Sequence, residues 1–429
     1  MRKYLTLLFA GLAALTATAQ PTLDACRRAA REHYPLVRRY ELLEASREFT
    51  LEKLSRAFLP QVSLTLQGTL QSGVPELPDH LKSLLESQGS TVEGLHHGQY
   101  RAQLDVTQTV WDGGRNRAQR RETAAQTEVS RRQTDVELHQ LYSRVDELFF
   151  GLLLIDRQAA LNRLLTDLLA SNRRQLETYR RHGTATQADV DAVEAERVAA
   201  CQQAVELQVA KERYAGMLSL LTGLDVPADS TLPRPPAIRP ATEAVRRPEL
   251  MLFDARSLLA DARRRSLDAA LRPRLDAFAQ GYYGNPGMNM FDDMMRYRLS
   301  LNGLIGIRLN WNIGALYTRR ADLASLDNER EQIRTERETF LFNNRQDVVR
   351  LRKEVERLEK LRPGDAELVR LRTSIRRAAE AKLRGGVIDA DALLEKITDE
   401  HRAQVEASVH DIELLKTLYA LQTLTQSPL

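Results

Sequence analysis

The sequence predicts an α+β chain in which two repeats of one plan, each with very long helices and two short strands, give four strands in all, and which works as an oligomer in a membrane. Three observations carry that prediction. Four segments of about ten residues alternate apolar and polar side chains; charged, helix-forming stretches of about seventy residues come after two of them; and the junctions recur in one order in both halves.

The chain opens MRKYLTLLFAGLAALTATAQP, with Arg2 and Lys3 before an apolar run from Leu5 to Leu15 and then Ala17, Thr18 and Ala19. This is the layout of a secretory signal peptide over residues 1–19, with an apolar core too short to span a bilayer. The densest later run, LFFGLLLI at 148–155, is also far short of a transmembrane helix. If the chain is held in a membrane, strands hold it.

A first helix is expected from about Thr22 to Phe58, leading into QVSLTLQ, where Val62, Leu64 and Leu66 share one face. In RAQLDVTQTV, Ala102, Leu104, Val106 and Val110 oppose Arg101, Gln103, Asp105 and Thr107. The corner VWDGGR then turns strand into helix: Gly113 and Gly114 permit the bend, and Asp112 is placed to cap the helix beyond it. From Arg115 to His182 there is no proline, and Leu138, Leu141, Val145, Leu148, Leu152, Ile155 and Ala159 step by threes and fours, a coiled-coil seam. At 1.5 Å per residue such a helix runs for about 100 Å. A helix of half that length is expected over Thr186–Leu221, so two short helices stacked end to end would pair along one long one.

The second half repeats the plan. Pro35 and Pro60 are 25 residues apart, as are Pro248 and Pro273. Weak alternation in RLDAFAQGYYG and strong alternation in YRLSLNGLIGIRLNW supply two more strands, with Tyr297, Trp311 and Trp111 as aromatic ends. NWNIGALYTRR parallels VWDGGRNRAQRR, so Trp311 and Gly314 form the second corner, and a long helix over Ala315–Arg384 should kink at Pro363 and Gly364. Trp111 to Gly183 is 72 residues and Trp311 to Gly385 is 74; each glycine precedes an aspartate by six, Asp189 and Asp391. The domain reading is a signal peptide at 1–19, a first structural repeat at 20–226, a Pro-rich linker at 227–247 and a second repeat at 248–429.

Four strands cannot close a membrane barrel, whose smallest forms have about eight, and an open edge is prohibitive in lipid. The chain must therefore oligomerise, and a trimer would supply twelve strands.

With this plan in view the sequence resembles the outer-membrane efflux protein family, the TolC-like channels. The features that carry the resemblance are YPLV, FLPQVSL, QTVWDGGR, GTATQADV and YAGMLSLLTGL, in order and spanning about residues 22–424. The resemblance implies a homotrimer in the cell outer membrane, with a twelve-stranded β-barrel continued into the periplasm by an α-helical coiled-coil barrel. It also implies a passive export conduit for small molecules or polypeptide, joined to an inner-membrane transporter by a periplasmic adaptor. The tips His182, Gly183, Thr184 and Arg384, Gly385, Gly386 would contact the adaptor. Asp391, with Asp389, Glu395 and Asp189, would lie at the periplasmic entrance. The family's next ring aspartate, three positions on, falls on Leu394, although Glu395 is adjacent. For the aspartates, helix capping and a cation-selective pore ring both stand as readings.

Other classes find little support. The 62 basic and 58 acidic residues are interleaved, which argues against nucleic acid as a partner despite a pI near 9.0. No nucleophile elbow, P-loop, HExxH or zinc spacing occurs, so no enzyme, cofactor or metal is expected. Cys26 and Cys201 read as packing residues, and His96 and His97 as a solvated loop pair. The alternative to a channel is a soluble periplasmic coiled-coil scaffold whose hairpins pack on themselves, which would have no use for the aromatic strand ends.

Overall fold

The computed structural model describes residues 21–92, 94–238 and 245–425. The signal peptide and the centre of the Pro-rich linker lie outside the described residues. Nine helices and four strands run in the order α1 (Leu23–His33), α2 (Arg38–Ser55), β1 (Gln61–Leu70), α3 (Asp79–Ser87), β2 (Gly98–Trp111), α4 (Arg115–Arg181), α5 (Gln187–Thr222), α6 (Pro248–Ala270), β3 (Arg274–Asn285), α7 (Met290–Met295), β4 (Ser300–Asn310), α8 (Ala315–Arg384) and α9 (Ala390–Thr425) among the described residues. The single helix expected before the first strand is divided by short 3-10 turns at Pro35–Val37 and Arg56–Phe58. Pro35 explains the first break, since its ring cannot continue a helix. The helix through Pro363 runs unbroken over its 70 residues. Two short helices, α3 and α7, stand in the strand connections, where the alternation pattern gave no sign of them.

The chain forms two compact units. One comprises Leu42–Ser130 and Phe253–Arg334 and is built on a four-stranded antiparallel sheet in the order β1-β2-β3-β4. Its register aligns the apolar residues across all four strands: Val62, Val106, Ala279 and Ile305 form one row, and Leu66, Ala102, Tyr283 and Leu301 another. Directly paired residues share a face, so one side of the sheet is apolar apart from Gln108, paired with Ala277, and Asn285, paired with Tyr100, near its ends. The opposite side carries Gln103, Asp105, Gln280 and Asn302. There Asp105 accepts hydrogen bonds from Gln103 at 2.8 Å and Gln280 at 2.6 Å. Asp276 accepts from Thr109, Arg274 and Asn310 at 2.9–3.0 Å, tying β2, β3 and β4 together.

Strict alternation would put Trp111 on the polar side, beside Thr107 and Thr109. The register instead slips between Thr109 and Trp111, so that Trp111 faces Leu275, a member of the apolar row. One extra residue reverses the face, and Trp111 joins the apolar side. Tyr297 lies before β4 begins and packs its ring edge-on against His96 at 4.4 Å; it is not a strand end. His97 bonds the carbonyl of Gln71 at 2.8 Å.

The other unit comprises the described parts of Met1–Glu41, Arg131–Leu252 and Thr335–Leu429. The predicted seam of α4 is buried from Leu138 to Ile155, and Phe149 and Phe150 widen it. Around it pack Leu23, Cys26 and Ala30 of α1, Ala215 and Leu218 of α5, and Leu415 and Tyr419 of α9. Thus α1 and the end of α5 both lie against the middle of α4, as end-to-end stacking requires. The Pro-rich segment is anchored here as well, through buried Val226 and Leu232 and through the carbonyl of Pro236, which accepts from Tyr419 at 3.2 Å. Arg27 meets Asp146 through two hydrogen bonds, one at 2.7 Å, between flanking rings of Tyr142 and Tyr419. Burial pushes the Asp146 carboxyl up, against the opposing pull of Arg27. Cys26 and Cys201 are both free thiols.

Candidate functional site

The two helical hairpins, α4–α5 and α8–α9, end in turns that pack on each other. Leu169, Leu176, Val190 and Val193 of the first meet Leu383, Leu393, Leu394 and Ile397 of the second in one apolar cluster. His182, Gly183, Thr184, Arg384, Gly385 and Gly386 are all exposed at these turns.

Sequence spacing pairs Gly183 with Gly385, but the backbone pairs it with Gly386. At the first turn the amide of Thr184 donates to the carbonyl of Tyr179 at 2.9 Å, around Gly183 at φ +76°. At the second, Val387 donates to Lys382 at 2.9 Å, around Gly386 at φ +67°. Both are the left-handed helix cap that favours glycine. The equivalence then runs on by three: Thr186 and Asp389 are corresponding cap residues. The Thr186 hydroxyl accepts from the Asp189 amide at 3.2 Å, and the Asp389 carboxylate accepts from the Ala392 amide at 2.9 Å. Asp189 matches Ala392, and Asp391 has no counterpart aspartate on α5.

This register separates the four expected entrance carboxylates. Asp189 completes a capping box, accepting from both the amide and the hydroxyl of Thr186 at 2.7 Å. Asp189 and Asp389 line a common cleft of about 920 Å³ between the turns, with Tyr179 and Arg384. Asp391 and Glu395 lie elsewhere, exposed and one turn apart on α9. Asp391 has no polar partner among the described residues, whereas Glu395 pairs with Lys396 at 2.9 Å. Leu394, where the family pattern has its next aspartate, is buried in the cluster between hairpins; a carboxylate there would be desolvated.

The strand-to-helix corners also differ from each other. At the first, Gly113 and Gly114 take φ of +69° and +87°, and a Cβ on Gly113 would stand 2.7 Å from that of Arg272. Asp112 caps α4, accepting from the amides of Gly114 at 2.8 Å and Asn116 at 2.6 Å. At the second, Gly314 is not left-handed, and Trp311 donates its indole N–H to the Leu271 carbonyl at 3.0 Å. Both tryptophans are about half exposed, at 48 % and 52 %.

Solved structures share this fold. The outer-membrane channel OprN aligns over 95 % of this chain and 90 % of its own, with a TM-score of 0.69 at 16 % identity. The outer membrane protein VceC of Vibrio cholerae aligns over 94 % and 96 %, with a TM-score of 0.69 at 13 % identity. The MtrE outer membrane channel of Neisseria gonorrhoeae, solved in an open state, aligns over 95 % and 89 %, with a TM-score of 0.65 at 16 % identity. The chain has the fold of these outer-membrane channels. No protein-family model and no curated protein matches the sequence.

Sequence reasoning missed Thr186 and Asp389 as the equivalent caps, although Thr-x-x-Asp before an apolar run is a recognisable helix start. It also missed how far the polar side of the sheet is organised around its arginines. Arg101 lies over Tyr282 at 4.4 Å and Arg308 over Phe278 at 4.6 Å, an arrangement that holds a guanidinium against an aromatic face. Arg298 instead pairs with Asp292 at 2.7 Å, before β4.

Proposed function

We propose that this protein is the outer-membrane channel of a tripartite export system, acting as a homotrimer through which small molecules or polypeptide leave passively. The observation that carries the reading is the sheet. Its apolar side is open, with Leu301 at 81 % and Ile305 at 84 % exposure, and β1 and β4 end it with no further strand among the described residues. A water-soluble scaffold would bury such a face, and lipid accepts it only if both edges are paired. Pairing β4 of one chain with β1 of the next closes twelve strands from three chains.

The helices support the same assembly. On α8, Leu361, Leu368 and Ile375 stay 37–44 % exposed at intervals of seven residues, the spacing of a coiled-coil seam awaiting a neighbour. The long helices would continue the barrel as a periplasmic tube. The two chain halves, 20–226 and 248–429, act in this reading as structural repeats joined by the 227–247 linker, each giving two strands, a long helix and a hairpin. The hairpin turns meet a periplasmic adaptor that joins an inner-membrane transporter. Asp391 and Glu395 form the entrance carboxylates, one turn apart, with Asp189 and Asp389 in structural caps behind them.

Membrane fractionation with chemical crosslinking tests the assembly: a heat-modifiable trimer in the outer membrane, conducting in planar bilayers, is expected. A monomer in the soluble fraction would reject the channel.

A further inference from the structure

Outside the sheet and the hairpin turns, one surface cavity of about 450 Å³ has a charge imbalance that its own residues leave uncompensated. It is lined by four arginines, Arg31, Arg131, Arg132 and Arg246, and by Asp135 as the only carboxylate. That carboxylate is already engaged: it accepts from the Tyr40 hydroxyl and, at 3.3 Å, from Arg132. Arg31, Arg131 and Arg246 have no ion-pair partner among the described residues. Arg31 feels the Asp135 carboxylate at longer range without pairing to it.

The floor of the cavity carries a second, independent signal. His139 is 4 % exposed; the Thr423 backbone lies near the ring, but neither ring nitrogen reaches it or any other group with hydrogen-bond geometry. A buried N–H without an acceptor is costly, and native proteins rarely leave one. Burial and the nearby Arg247 guanidinium favour the neutral ring, which has one N–H to donate. Leu138, Tyr142 and Met251 add an apolar wall.

We infer that this cavity binds a small molecule bearing a doubly charged oxyanion, gripped by Arg31, Arg131 and Arg246 with the His139 N–H as an inner donor. Planar guanidinium forks suit phosphate and carboxylate oxygens, and the apolar wall favours an organic body over the bare ion. The ligand site is separate from the conduit reading and does not depend on it.

The test is calorimetric titration of the full-length protein in detergent, first with inorganic phosphate and then with phenyl phosphate. One saturable site per chain is expected, with phenyl phosphate the tighter ligand. Arg131→Gln and Arg246→Gln, both at exposed positions, should each weaken binding about tenfold, equivalent to about 1.4 kcal/mol. Arg163→Gln, an exposed arginine outside the cavity, should leave it unchanged. Absence of saturable binding to wild-type protein, or equal weakening by Arg163→Gln, would overturn the site. Should a cavity variant fail to fold, wild-type protein still decides: its thermal midpoint should rise with phenyl phosphate and not with equimolar sodium chloride.

Discussion

Ile305 separates lipid from water as the solvent of the sheet. It is the sixth of the eleven residues of β4, in register with Ala279, Val106 and Val62. At about 3.3 Å per residue and a tilt near 45°, such a strand rises about 25 Å, the height of an apolar barrel band. Ile305 therefore sits near the middle of that band. Arginine at the midplane of a barrel costs about 2–4 kcal/mol per copy, or about 6–12 kcal/mol for a trimer. On a water-exposed surface the same change stays within about 0.5 kcal/mol. Leu304, the preceding residue, pairs with Gln280 on the polar side, and Leu304→Arg serves as the control. The assay is urea unfolding of the trimer in lipid bilayers, monitored by heat-modifiable gel mobility. Ile305→Arg should abolish or severely destabilise the folded trimer while Leu304→Arg leaves most of it. Equal behaviour of the two variants, or a change below about 0.5 kcal/mol for Ile305→Arg, would refute a lipid-facing sheet.

Other consequences can be measured on the same protein. Thr186→Ala and Asp389→Ala should each cost about 1 kcal/mol as lost helix caps, whereas Asp391→Ala should leave stability unchanged and reduce cation selectivity in single-channel recordings. Gly113→Ala should destabilise by more than about 1 kcal/mol, because it is strained at positive φ and crowds Arg272; Gly314→Ala should be tolerated in the same thermal melt. Asp146→Ala strands Arg27 in the core and should cost about 3–5 kcal/mol, while the double change Arg27→Met, Asp146→Leu should recover most of that loss. The Cys26 thiol is pushed up to about 11 by burial, so the native protein should resist iodoacetamide there at pH 8; its thiolate fraction, and hence alkylation, rises only as pH approaches that value. Mass spectrometry after labelling distinguishes it from partly exposed Cys201.

The long-range plan was legible because it is written in periodicity, which survives where residue identity does not. Two-residue alternation located all four strands, and three-four spacing located the α4 seam from Leu138 to Ile155, though not its buried continuation through Leu161, Leu169 and Leu176. What periodicity could not register were single-residue insertions. The slip at Val110 turns Trp111 to the apolar side, and the extra glycine of Gly385-Gly386 displaces the second hairpin turn by one residue. In each case the sequence landmark was sound and its structural partner was one position away. The short helices α3 and α7 lie in strand connections with no long periodic stretch; α7 is started by a local polar cap, Asn289 accepting from the Asp292 amide at 3.4 Å, and α3 follows Pro78 with no side-chain cap. The Arg27–Asp146 pair joins residues 119 apart in sequence, a separation that no local pattern reports.

The pattern of exposure argues that this chain is folded for two solvents and for neighbours. Around the α4 seam, apolar side chains are buried and the buried Arg27–Asp146 pair is joined by two hydrogen bonds, as a fold in water requires. On the sheet the order reverses: Val62, Leu64, Leu66, Ile305 and Ile307 are exposed while Asp276 is buried at 2 % exposure with three donors. Neither a water-soluble fold nor a lipid-soluble one produces both arrangements. The exposed heptad positions of α8 fit a third condition, since isolated leucines on a charged helix stabilise nothing until another helix covers them. If oligomer contact covers that seam, charged substitution of Leu368 should disperse the trimer without unfolding the chain's own core, because Leu368 is outside all three buried clusters. A variant that stays trimeric with Leu368→Glu would place the seam against solvent and leave the strand edges alone to hold the assembly.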